Sequence, residues 1–293
     1  MIKMAHVVLL AALPALPVQT PAPGVQNSLL RRYVAGEKLT YHMKGINEGW
    51  HYEAQADGIV KKDADGSYFE DFGWSKFVFD GQRITLSPAT LNFRQRVTLD
   101  PKGRPAFPNL SQADPRLIGP LTDFMTFYVD LWLAVKTGAL THPGDHFYFK
   151  KGTPNSWADG TDVLVGHDSI DFDLTYESTT PAGDVATILV RHVPPEKPQI
   201  ELPAEWMRAP VSGTPNNWVQ IEKTGDGKYL SAVGKETFDV ELKVSLADGK
   251  ILSATQLNPV LTIERECADV ALTSCGAAKP HNVMRHIEIA LVR

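Results

Sequence analysis

Six turns centred on Asp and Gly divide this chain, and the segments between them alternate apolar with polar residues. The turns are Asp63 to Gly66, Asp80-Gly81, Asp100 to Gly103, Gly183-Asp184, Gly225 to Gly227 and Asp248-Gly249. Gly and Asp tolerate the positive φ that tight hairpins need, so turns of this kind reverse a strand. The clearest alternation sets Phe238, Val240, Leu242, Val244 and Leu246 against Asp239, Glu241, Lys243 and Ser245. A period of two with one apolar side is the pattern of an antiparallel strand with one buried face.

Further strands are expected at Gln55 to Val60, Ser67 to Trp74, Lys76 to Phe79, Arg83 to Leu86 and Phe93 to Leu99. After the helix described next, strands resume at Phe147 to Phe149, Val163 to Val165, Ile170 to Tyr176, Val185 to Val193 and Val283 to Leu291. One helix is expected over Leu121 to Lys136, with Pro120 at its first position and Gly138 at its C-terminal cap. Its polar residues Asp123, Thr126, Asp130 and Thr137 fall on one narrow stripe, which is read as the solvent-facing side. The predicted fold is therefore mainly β: a curved antiparallel sheet or half-barrel of consecutive hairpins, with one long apolar helix packed against it.

Residues 1–24 read as an export signal, with the charge of Lys3, a short apolar core from Val7 to Leu16, and small residues Ala22 and Gly24 before the cut. That core is too short to span a bilayer, and no cysteine lies near the site for lipid attachment. The remainder, residues 25–293, is expected to be a single β-rich domain in the periplasm or outside the cell, without a transmembrane segment. The proline-rich stretch from Pro194 to Pro215 is a possible seam between two sheet halves. Cys267 and Cys275 are the only cysteines, and in an exported chain such a lone pair is expected to form a local disulfide. The formal charge of −5 becomes one unit more negative once Lys3 is removed, a balance that argues against nucleic acid as a partner.

Motifs with catalytic specificity are missing. There is no G-x-S-x-G, no S-x-x-K and no glycine cluster ahead of the helix, so no cofactor is expected. His142 and His146 stand four apart, but Pro143-Gly144 between them forbids the helix that would present both to a metal. His281 and His286 are five apart, which places them on opposite faces of a strand. Asp168, Asp171 and Asp173 are candidate carboxylates for glycoside hydrolysis or calcium, against the alternative of solvent-facing polar positions. Trp50, Tyr52, Phe72, Trp74, Phe77 and Phe79 lie on early strands. With Phe124, Phe127, Tyr128 and Trp132 of the helix they suit either a site for a lipid or other apolar ligand, or an ordinary aromatic core. The candidate ligand-binding set is Trp74, Phe77, Phe124, Phe127, Tyr128 and Trp132.

Four segments resemble a group of uncharacterised exported bacterial β-proteins that are similar to the lipoprotein-carrier fold of the cell envelope. They are Ala35 to Tyr41 opening the first strand, the helix around Phe124 to Leu133, Pro143-Gly144-Asp145 leading into a strand, and the hairpin from Leu242 to Gln256 built on Asp248-Gly249. The resemblance implies a curved antiparallel sheet with a helix against its concave face and brings no catalytic residue with it. Three functional readings follow: a non-enzymatic envelope protein carrying an apolar ligand, a carboxylate-dependent glycan hydrolase, and a protein-interaction scaffold.

Overall fold

The computed structural model describes residues 29–47, 49–103, 114–152, 154–158 and 162–292. The expected export signal over residues 1–24 lies outside them. The protein is 50% strand and 12% helix, and its antiparallel sheet is open and unclosed.

β1 (Lys38–Asn47), β2 (Trp50–Lys62) and β3 (Tyr68–Phe79) form consecutive hairpins. After β3 the chain reverses on Asp80 and Gly81, with φ of 47° and 75°, the pair of positive values that a two-residue hairpin turn requires. β4 (Gln82–Arg83) and β5 (Gln95–Val97) both pair with β3. They are shorter than the alternation predicts because a single-turn helix, α1 (Pro88–Asn92), lies between them. The Ser87 hydroxyl accepts from the Thr90 amide and Pro88 supplies a helical φ, so the local chemistry favours a helix start over strand continuation.

α2 (Ile118–Thr137) has 20 residues and ends on Gly138, which is left-handed at φ 62°. It starts two residues before Pro120, still within the first turn, where the missing N–H loses no hydrogen bond. β6 (His146–Phe149), β7 (Asn155–Ser156), β8 (Val163–Asp168), β9 (Asp171–Thr179), β10 (Val185–Val193), β11 (Trp218–Lys223), β12 (Tyr229–Glu236), β13 (Phe238–Ser245), β14 (Ile251–Cys267) and β15 (Lys279–Leu291) complete the sheet.

A single line of division organises these later strands. β12 and β13 are separated only by Thr237, and both pair with β14 in one unbroken register, from Tyr229↔Cys267 through Glu236↔Val260 to Asp239↔Leu257. β8 and β9 likewise run on through Ser169 and Ile170. Between these two long runs lie β10, which pairs with β9 and β13, and β11, which pairs with β8 and β12. The chain from β10 to β11 leaves the sheet for the proline-rich excursion, so the sheet divides there. Pro259 sits in β14 at the division, where its missing N–H withdraws one donor from the ladder. The backbone groups released at the division are capped by buried side chains. Asn217 bonds the carbonyls of Ser169 and Glu236 and accepts from the Glu236 amide, while Asn258 donates to the Thr237 carbonyl.

Among the described residues two cores result, on opposite faces of the shared strands. The larger takes inward residues of β1, β2, β3, β9, β10, β13, the first part of β14, and β15, together with α2. The smaller gathers Val219, Ile221, Val233 and Cys267 under Ala204 and Met207 of the proline-rich excursion and Leu272. Cys267 and Cys275 are bonded to each other beside this second core.

The helix departs from the sequence-based expectation. Asp123, Asp130 and Thr137 are buried, so the polar stripe faces the protein and α2 is not a uniformly apolar element. Each buried aspartate has a basic partner on the sheet, Arg285 and His192 respectively, and that pairing offsets its desolvation. No helix among the described residues is long and apolar enough to cross a membrane.

Candidate functional site

The aromatic candidates come together around α2. Trp74, Phe77, Phe124, Phe127, Tyr128 and Trp132 are all buried in the larger core. The Phe124 ring lies 5.0 Å from Phe72, 5.2 Å from Tyr128 and 5.6 Å from Tyr41 and Trp74, in tilted and edge-on contacts. Spacings of this size are those of rings packed directly on one another, so the space between helix and sheet is filled by side chains. Of the early-strand aromatics, Trp50 alone is exposed, stacked at 5.2 Å on Phe79 at the rim.

Beneath this aromatic layer, polar pairs fasten α2 to the sheet. Tyr128 donates to Glu70 at 2.5 Å, and Arg31 donates to the same carboxylate at 3.0 Å. Burial pushes the Glu70 carboxyl above its ordinary range, with Arg31 and the Tyr128 hydroxyl opposing the shift. Asp123 is ion-paired to Arg285 and accepts from the Tyr52 hydroxyl at 3.2 Å. Asp130 meets His192 Nε2 at 2.8 Å, and burial raises the Asp130 carboxyl against the pull of that ring. The second oxygen of Asp130, His192 Nδ1, Arg285 Nε and both polar atoms of the Gln256 amide are buried without a hydrogen-bond partner among the described residues.

The line where the sheet divides carries a second polar cluster that continues from these anchors. Asn258 receives a hydrogen bond from Arg285 at 3.1 Å and donates to Glu236 at 3.2 Å. Glu236 in turn lies beside the Asp168 carboxyl. Asp168 accepts from Asn155 at 2.5 Å, and Asn155 is bonded to Lys151. Burial, together with the neighbouring Asp168, pushes Glu236 up to about 8, and burial raises Asp168 as well. Burial also lowers the Lys151 ammonium. Each of the two adjacent buried carboxyls disfavours ionisation of the other.

The remaining predicted groups are dispersed. Asp171 is buried and accepts from the Tyr148 hydroxyl at 2.8 Å and the Lys151 amide at 3.1 Å, so it is not a solvent-facing position. Asp173 is paired with His146. His142 lies exposed in a loop, 2.8 Å from the Thr141 hydroxyl. His281 pairs with Glu264 and His286 lies 3.3 Å from Glu288, on opposite faces of β15. Among the described residues no cluster of three His, Cys, Asp or Glu is placed to hold a metal.

Comparison with protein-family models, with curated proteins and with solved structures finds no match for this chain. The residues that sequence reasoning missed are Glu236, Asn258, Arg285, His192, Arg31 and Glu70. A signal was present for two more: Asp123 and Asp130 are one heptad apart on a helix whose other sides are apolar, and a helix apolar all round is buried all round.

Proposed function

We propose that this is an exported, non-enzymatic binding protein that takes up an apolar chain between the sheet and α2, and that the arrangement described above is its closed, unloaded form. The observation that carries the reading is the way α2 is held. From β3 to β10 the sheet crosses six strand spacings, about 29 Å if flat. α2 is only about 10 Å across, yet it touches Trp74 on β3 and His192 on β10. A half-barrel curled around the helix accounts for both contacts. Besides its apolar packing, the helix is fastened to that curve through buried ionic and hydroxyl pairs that leave several polar atoms unpaired, and such pairs stabilise less than apolar packing of the same volume. A helix held this way can be displaced, and its departure uncovers Tyr41, Phe72, Trp74 and Phe77 as one aromatic wall.

An environment-sensitive fatty-acid probe titrated into delipidated protein tests the reading. Saturable binding is expected, and each two-carbon extension of the probe should tighten it about tenfold. Asp130→Asn, which weakens one anchor, should bind more tightly than the parent. Phe127→Gln should weaken binding by more than it lowers stability. Weak, unsaturable adsorption in the parent and in Asp130→Asn alike would remove the carrier reading.

A further inference from the structure

We propose that the part of the sheet beyond α2 carries a binding platform for neutral saccharides, centred on Trp157 and Trp218. Residues directly opposite one another in antiparallel strands share a face. The register therefore lays Asn155, Asp168, Trp218, Gly234 and Thr262 in one row across β7, β8, β11, β12 and β14, on the face that carries the larger core further along the same strands. The smaller core occupies the opposite face. On this face the Trp157 ring lies over Gly166, where an added Cβ would come within 2.3 Å of the indole nitrogen, so the glycine is the seat of the ring. The indole N–H is held at 2.9 Å by the Gln220 side-chain oxygen, and the Gln220 amide is in turn bonded to Glu222. Trp157 and Trp218 lie 6.1 Å apart at 31°, and Trp157 remains 38% exposed.

An exposed indole fixed through its own N–H and bordered by planar amide and carboxylate groups matches the chemistry of a pyranose. Such a sugar presents a face of C–H groups to an aromatic ring and a rim of hydroxyls to side chains that both donate and accept. Glu222 and Glu264 border the same face and disfavour acidic sugars by like-charge repulsion. The adjacent Asp168 and Glu236 do not extend the site to hydrolysis. Both are buried, out of reach of a glycosidic bond laid on the platform. The platform is independent of the apolar site proposed between sheet and helix.

Titration of the mature protein with maltohexaose, cellohexaose, chitohexaose and tri-galacturonate, followed by tryptophan fluorescence and calorimetry, tests it. At least one neutral hexasaccharide should bind saturably. Trp157→Ala should weaken that binding about tenfold, the size of one aromatic stacking contact. Gly166→Ala, which displaces the ring, should do the same with circular dichroism unchanged, and Lys235→Ala on the opposite face should leave binding intact. The proposal is overturned if no neutral sugar saturates by about 10 mM, or if tri-galacturonate binds as tightly as the neutral sugars. It is equally overturned if Trp157→Ala binds like the parent, or if the platform adsorbs phosphatidylcholine vesicles in place of sugars.

Discussion

Glu236 shows what burial does to one side chain in this fold. Its carboxyl is raised from 4.5 to about 8, first by desolvation and then by the adjacent Asp168, so the folded protein holds a proton that the unfolded chain releases. Stability from this group is complete below pH 4.5 and is lost as pH rises through about 8, at up to about 1.4 kcal/mol per pH unit. Asp168 and Asp130 are raised too and act with the same sign. Urea unfolding between pH 5 and 8 should therefore show stability falling with pH. In Glu236→Gln, which cannot ionise, the fall should be shallower; an unchanged slope would mean that Glu236 is ionised throughout. Trp132 is the corresponding apolar case. It is 7% exposed with Lys136 above its ring, and Trp132→Ala should lower stability by about 3–5 kcal/mol through lost transfer energy and the cavity left behind. An unmoved urea midpoint would show that the ring contributes no packing.

At the scale of elements, α2 is the piece whose attachment decides most. Removing one member of the Asp130–His192 pair leaves a buried polar group alone, so Asp130→Ala should destabilise by about 3 kcal/mol. Replacing both together, Asp130→Leu with His192→Leu, should cost clearly less, because no polar atom is then stranded. Thermal denaturation of Asp130→Leu, His192→Leu and the double variant measures the difference, and additive losses would show that the pair is not coupled. The hairpins were legible in the sequence because their information is local. Asp63 to Gly66, Asp80-Gly81, Gly183-Asp184, Gly225 to Gly227 and Asp248-Gly249 each carry the backbone chemistry of the turn they make, and the strands between them alternate. The helix and its Gly138 cap were legible for the same reason. The polar cluster was not. Asp168, His192, Asn217 and Glu236 lie at or near strand ends and Asn258 and Arg285 lie within long strands, all scattered along the chain, and each alone looks like an ordinary solvent-facing position until the fold brings them together. Asp123 and Asp130 were misread for the converse reason, since a polar stripe on an apolar helix faces water only if nothing basic waits for it inside.

For the whole molecule, the question is whether two cores on opposite faces make one cooperative unit. They share backbone, because β14 pairs with β13 beside the larger core and with β12 beside the smaller, and β15 runs along most of its other edge. Melting either core alone would strand half of a continuous ladder of hydrogen bonds, a cost comparable to the stability of the smaller core itself. The disulfide acts at one end of this ladder. Closing the Cys267–Cys275 loop should contribute roughly 2.5 kcal/mol by restricting the unfolded chain. Its effect should reach the larger core if β14 transmits it. Unfolding in urea, followed by far-ultraviolet circular dichroism and by tryptophan fluorescence, reads both cores, since Trp74 and Trp132 belong to the larger and Trp206 packs against the smaller. The two curves should coincide in the oxidised protein. After reduction they should shift together to lower urea and remain superimposed. A fluorescence transition that separates from the dichroism curve on reduction would instead mark the line of division as a boundary between two independently melting units.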